Sequence, residues 1–264
     1  MALFERYIGI DYSGAQTPVS SLPGLRVYVA TPKEPPLEIK VSQSGFGYSK
    51  KKYWSRKGIA EFLARELQDG PGTLVGIDHG FSFPLPYFEK HSLAHDWPKF
   101  LDDFQKHWPT DLDHMKVDLI RNGAEGNGSL RMGNSRWRRL AEQRCGAKSV
   151  FHFDVQGSVA KSTHTGLPWL RYLRQQLGTR LHFWPFDGWQ PVKGKSVIAE
   201  VYPSLCNQKY PNQGVSSHQH DAYCIAMWMR QFDLAGDLSG FFQPELSSSE
   251  IKQAGIEGWI LGLC

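Results

Sequence analysis

The chain is poor in cysteine, has no long apolar run, and lacks the compact motifs that mark whole classes of enzyme. Its 264 residues include four cysteines, Cys145, Cys206, Cys224 and Cys264, with no Cys-x-x-Cys pair. Disulfide frameworks belong to short chains dense in cysteine, so these are expected to be reduced thiols. No window approaches the ~18–20 uninterrupted apolar residues of a membrane helix. Met1–Arg6 holds an acid and runs straight into a strand-like segment, so no signal peptide is expected and a cytoplasmic location is. The phosphate-loop pattern G-x-x-x-x-G-K-[ST] is absent, even from the glycine-rich 123–133 (GAEGNGSLRMG). Ser82 does not sit in a G-x-S-x-G elbow, which disfavours a serine hydrolase. Histidines number ten, but no H-E-x-x-H occurs. His218 and Cys224 stand six apart, off the i, i+4 spacing that two ligands on one helix face prefer, which disfavours zinc.

What is present is ordinary globular material, 41% apolar and 21% charged, which excludes a disordered or collagen-like chain. Tyr7–Asp11, Leu25–Ala30 and Leu37–Val41 read as strands separated by turn-rich segments. Ser55–Gln68 has helix spacing, with Ser55 as N-cap, and Thr73–Asp78 is a strand that repeats the Gly-Ile-Asp ending of the first. From about 84 to 178 the pattern is an irregular helical insertion, with helices expected over Trp97–His107, Asp111–Arg121, Ser135–Arg144 and Leu167–Leu177. Strands at Leu181–Trp184 and Ser196–Tyr202 and a helix at His218–Leu234 follow. This order predicts one α/β domain around a mixed sheet.

Four carboxylates stand out by position. Asp11 and Asp78 end apolar strands, Glu200 lies inside the apolar run Val197–Tyr202, and Asp221 opens an apolar helix face. An ionised carboxylate in such surroundings costs several kcal/mol unless a cation compensates it. An arginine of the insertion could serve one of them. A divalent ion could serve several, and oxygen-only ligands favour Mg²⁺ or Mn²⁺. Three of the four also have a plain structural use: Asx-turns for Asp11 and Asp78, and a helix-dipole role for Asp221. Glu200 has no such use in mid-strand.

The succession Gly-Ile-Asp, a strand hairpin, a second Ile-Asp followed by Phe81-Ser82-Phe83-Pro84, then Glu200-Val201-Tyr202-Pro203, then His220-Asp221-Ala222-Tyr223-Cys224-Ile225-Ala226 is similar to the ribonuclease H-like superfamily. Within it the sequence resembles the domain-of-unknown-function family numbered 429, described as predicted RNase H-like nucleases. The resemblance runs from Tyr7 to about Leu234. It implies a single RNase H-like domain over 1–264, with a five-stranded or slightly extended mixed sheet whose first three strands are antiparallel. It also implies an acidic site of Asp11, Asp78, Glu200 and Asp221 that is both catalytic and metal-binding, taking Mg²⁺ or Mn²⁺. The chain departs from the family at His79-Gly80-Phe81, where many members carry Ala-Pro.

The net charge of +4 hides two basic clusters. Residues 48–57 (YSKKKYWSRK) hold Lys50, Lys51, Lys52, Arg56 and Lys57 with no acid, interleaved with Tyr48, Tyr53 and Trp54. Residues 131–148 hold Arg131, Arg136, Arg138, Arg139, Arg144 and Lys148 against Glu142. Cations neutralise phosphates and exposed rings stack on unpaired bases, so both segments are candidates for binding a nucleic acid. A solvated loop with inward rings, or a helix with a charged outer face, explains them equally. Ser13 and His220, beside the acids in sequence, are candidate accessory residues. The leading expectation is a metal-dependent nuclease hydrolysing phosphodiester bonds by a two-metal mechanism. Two others compete: an actin-like nucleotide-binding protein, suggested by Asp11-Tyr12-Ser13-Gly14, and a non-catalytic nucleic-acid-binding module.

Overall fold

The computed structural model describes residues 2–43 and 51–263. Its centre is a six-stranded mixed sheet of β1 (Arg6–Asp11), β2 (Arg26–Ala30), β3 (Leu37–Glu38), β4 (Thr73–Ile77), β5 (Leu181–Trp184) and β6 (Ser196–Glu200), in the order β3-β2-β1-β4-β6-β5. β1, β2 and β3 pair antiparallel, whereas β1, β4, β6 and β5 run parallel. The helices are α1 (Arg56–Glu66), α2 (Leu85–Lys90), α3 (Trp97–His107), α4 (Val117–Arg121), α5 (Leu140–Arg144), α6 (Ala160–Leu177), α7 (Ser217–Ala235), α8 (Leu238–Phe241) and α9 (Ser248–Glu257). The insertion thus follows β4 as expected.

Period-two alternation sorts the three central strands between two cores. Ile8, Ile10, Val75, Ile77 and Ile198 face the insertion with Phe81, Phe83 and Leu167. Tyr7, Leu74, Val197, Ala199 and Val201 face the other way, against Ile225, Trp228 and Met229 of α7. Gly9 and Gly76 are register partners beneath α7. A Cβ on Gly9 would lie 2.3 Å from the Ala222 carbonyl oxygen, and one on Gly76 would lie 2.8 Å from Ile225 Cγ2. The glycines of the two Gly-Ile-Asp strands therefore serve close approach of α7, which brings its first turns to the ends of β1 and β4.

Several expected elements differ in extent. The Asp111–Arg121 helix is only α4, because 109–115 is taken up by turns, with Leu112 N–H donating to Pro109 O and Met115 N–H to Leu112 O. The Ser135–Arg144 helix is only α5, since Arg139 is extended (φ −64°, ψ 155°) and caps it. α6 begins seven residues before Leu167 and carries Pro168 inside. A mid-helix proline leaves the carbonyl four residues back without its N–H partner, and the Thr110 hydroxyl donates to that oxygen of His164 at 2.7 Å. Helices α2, α8 and α9 lie where no helix was expected.

His164 sits fully buried among Phe83, Phe104, Trp108 and Phe153, its Nδ1–H donating to Ala160 O. Burial pushes its imidazole down to about 3. The unfolded chain therefore takes up this proton first as pH falls below about 6.5, so the stabilisation is full above that value and lost towards 3. We expect unfolding free energy to fall by roughly 1.4 kcal/mol per pH unit from this group across that window. Denaturant titrations of the parent and His164→Gln at several pH values check it; equal slopes would count against it.

Candidate functional site

β1 ends on Asp11 and β4 runs directly into Asp78, whose N–H donates to Ile10 O at 3.0 Å. Two neighbouring parallel strands thus deliver two carboxylates at the same level, at their C-terminal edge. Asp221, one turn into α7, completes the group, because the glycine-lined seat of α7 carries that turn over the strand ends.

The surroundings of the three acids differ. Asp11 is buried, and burial lifts its carboxyl above the ordinary range; Asp221 adds to this, while a hydrogen bond and attraction from His218 draw it back. His218 Nδ1 lies 2.7 Å from Asp11 Oδ2, with its side chain about half exposed. That bond raises the imidazole above its usual value. Asn207 Nδ2 donates to Asp221 Oδ1 at 3.1 Å. The Asp78 carboxyl stands well above the ordinary range, first through burial and then through repulsion from Asp11, Asp221 and Glu200. Among the described residues no cation or hydrogen-bond donor reaches its side chain. Asp78 is partly accessible and lines a cleft with His79, Lys148, Glu200 and Tyr202.

Glu200, expected as a fourth member, belongs to another arrangement. It is opposite Ile77 in register, so it projects towards the insertion. There Arg139 holds it through two hydrogen bonds of 2.6 and 2.7 Å, and Phe81 N–H donates to it as well. Its compensating cation is a guanidinium from the insertion. Arg139 also pairs with Glu142 at 2.9 Å. No group of three or more His, Cys, Asp or Glu side chains among the described residues is arranged closely enough to hold a metal ion. The three aspartates converge and repel one another without forming a closed ligand shell.

His220, the expected accessory residue, faces away from the acids, with Nε2 at 3.0 Å from Tyr210 O and 3.4 Å from Cys224 Sγ. His218 is the histidine at the site. Its i, i+3 relation to Asp221 places both on one helix face, a spacing present in the sequence. Ser13 lies beside the site, its Oγ accepting from Ala15 N–H at 3.4 Å. Gly14 seats its loop on α6, where a Cβ would lie 2.2 Å from the Lys161 carbonyl carbon. The buried His79 donates from Nδ1 to Gly80 O and packs edge-on against Tyr12; burial pushes it down to about 4. His79 is thus a packing residue beside the site.

The basic segments are largely spent inside the molecule. Lys50 and Tyr48 lie outside the described residues. Arg56 is 0% exposed and donates to the carbonyls of Ser13, Ala15 and Gln16, clamping the loop after Asp11. Trp54 is 3% exposed, packed on Phe62, with Nε1 donating to Ile39 O. Arg139 is buried as described. These three cannot meet a polyanion. Lys51 donates to Val19 O, Lys57 pairs with Asp113, and Arg131 makes a bidentate pair with Asp103. Arg138 donates to Glu142 O and Ala147 O, whereas Arg136 is exposed. Lys52 is exposed and Tyr53 half-buried, with the Lys52 ammonium 5.1 Å from the ring centre.

Cys145, Cys206 and Cys224 are free thiols, and among the described residues no helix is long and apolar enough to cross a membrane. No protein-family model, curated protein or solved structure matches the chain.

Proposed function

We propose that this chain hydrolyses phosphodiester bonds of a nucleic acid with the help of Mg²⁺ or Mn²⁺, on a sheet of RNase H-like type. The antiparallel β1-β2-β3 hairpin pair, the parallel β4, and acids on the first strand, the fourth strand and the long last helix of the sheet region support that reading. The observation that carries it is Asp78. A partly accessible carboxylate beside two others, with no cation or donor of its own among the described residues, is a costly arrangement unless a cation joins it.

The donor set is hard oxygen, which fits Mg²⁺ or Mn²⁺. Asp11, Asp78 and Asp221 do not stand as a ready ligand group and would have to draw together around it, and Glu200, held by Arg139, would take no part. A divalent cation there would supply charge neutralisation at the scissile phosphate and a lowered pKa for an attacking water. The protein's own part is orientation. Asn207 fixes Asp221, His218 fixes Asp11, and Arg56 fixes the loop that follows. Asp78 is left free to complete the group.

Titration of Mn²⁺ into the chelator-stripped protein, followed by calorimetry, tests this together with a labelled oligonucleotide monitored for length. Saturable heat and Mn²⁺-dependent shortening are expected. Oligonucleotide binding that weakens with salt but leaves length unchanged would point to a non-catalytic module, and would reject the hydrolase.

A further inference from the structure

Beside the carboxylates, on the β2–β3 side, lies a polar recess lined by Arg26, Glu38, Lys40, Lys52, Tyr53 and Gln219. Two of its lining residues adjoin the site. Arg26 is the register partner of Asp11 across β1 and β2, and Gln219 follows His218 on α7. Its walls are braced: Arg26 donates to Glu38 at 2.8 Å and to Pro23 O at 2.9 Å, and Gln219 donates to the other Glu38 oxygen at 2.9 Å. The Tyr53 ring stands over this wall, with the Arg26 guanidinium carbon 4.7 Å from its centre. The Lys40 and Lys52 side chains are exposed, and Lys40 has no side-chain partner among the described residues. With Glu38 matched by Arg26, the recess carries two surplus positive charges.

We infer that this recess is the groove along which a single-stranded polynucleotide reaches the carboxylates, with Tyr53 stacking on an unpaired base and Lys40 and Lys52 on backbone phosphates. The inference rests on the hydrolase reading and names its substrate. The ring has the Arg26 guanidinium carbon at 4.7 Å and the Lys52 ammonium at 5.1 Å from its centre; a base stacking on it would take the place of the flexible lysine, freeing that ammonium for a phosphate, whichever base it is. A paired base has its faces covered by its neighbours, so the ring favours unpaired strands over a duplex. An acidic peptide would use the lysines and leave the ring idle.

Fluorescence anisotropy of a labelled single-stranded oligonucleotide, with chelator present, tests the groove apart from any cleavage. Tyr53→Ala is expected to weaken binding roughly 5- to 150-fold, the loss of one stacked base, and Tyr53→Phe to restore it. Lys40→Ala with Lys52→Ala should flatten the slope of log affinity against log salt by about 1.4. The same sequence as a duplex should bind more weakly. Equal binding of duplex and single strand with no effect of Tyr53→Ala would overturn the inference, as would equal competition by a poly-glutamate peptide. If Mn²⁺-dependent cleavage proceeds unchanged in the Tyr53 and lysine variants, the groove is wrong and the hydrolase stands. If the variants lose binding and the parent never shortens the strand, the groove stands and the hydrolase is wrong.

Discussion

Asp78→Asn is expected to abolish cation-dependent strand cleavage, lowering the rate by at least about 10³-fold, while leaving the protein as stable as the parent or more so. The first half follows from removing several kcal/mol of transition-state charge stabilisation, at tenfold per ~1.4 kcal/mol. The second follows from the environment of the carboxyl. Burial and three neighbouring acids hold it well above its ordinary value of 3.8, so in the folded state its ionisation is unfavourable. Stability from such a group is full below about 3.8 and lost as pH rises towards the folded value. At neutral pH without divalent ions, a neutral isostere removes that repulsion. Strand-cleavage assays and thermal unfolding in chelator measure the two halves. A variant that cuts as well as the parent refutes the assignment; one that unfolds several degrees lower marks Asp78 as structural.

Arg139→Met is expected to destabilise the protein by about 3–5 kcal/mol, because it leaves Glu200 and Glu142 charged, buried and without their cation. At roughly 2–4 °C per kcal/mol for a chain of this size class, the unfolding midpoint should drop by roughly 6–20 °C. The double variant Arg139→Met with Glu200→Gln should recover part of the loss, since it removes one of the two orphaned charges with the arginine. Arg139 Nη1 also donates to Glu257 O, and Glu257 accepts from the N–H groups of Leu85 and Leu140. The lost stability therefore includes docking of the insertion onto the C-terminal helix. Chemical denaturation of the single and double variants decides it; a single variant within 1 kcal/mol of the parent would show the pair to be dispensable.

The contrast between Asp78 and Glu200 shows how far the site was legible in the chain. Both are acids in apolar surroundings, and both signal a compensating cation. Whether an arginine of the insertion reaches each of them depends on where its strand delivers it. Asp11 ends β1 on the side of Gly9, facing α7, and Asp78 follows the end of β4, whereas Glu200 is in register with Ile77 and meets the insertion. The possibility that an insertion arginine serves one acid was open in the sequence, and Arg139 takes that part. The choice of His218 over His220 was legible in principle from the i, i+3 relation to Asp221, but proximity in sequence pointed to the wrong ring.

Charge was the least transparent feature. Arg56 and Arg139 belong to the two densest basic runs, yet both are buried and bonded to carbonyls or carboxylates. Composition counts cations without showing what stands opposite them. The Ser55 cap and the spans of α3 and β5 were set by local pattern, because periodicity and capping act over a few residues; β3 and β6 stop at Glu38 and Glu200, short of the expected Val41 and Tyr202, so that Glu200 ends its strand and does not lie within it. The seven-residue extension of α6 needed Thr110, some fifty residues earlier, to satisfy a carbonyl left by Pro168. Local chemistry therefore decided the kind and order of the main elements and which strands end in acids. Only tertiary packing decided which side chains meet, because burial, register and ion pairing depend on residues that are far apart along the chain.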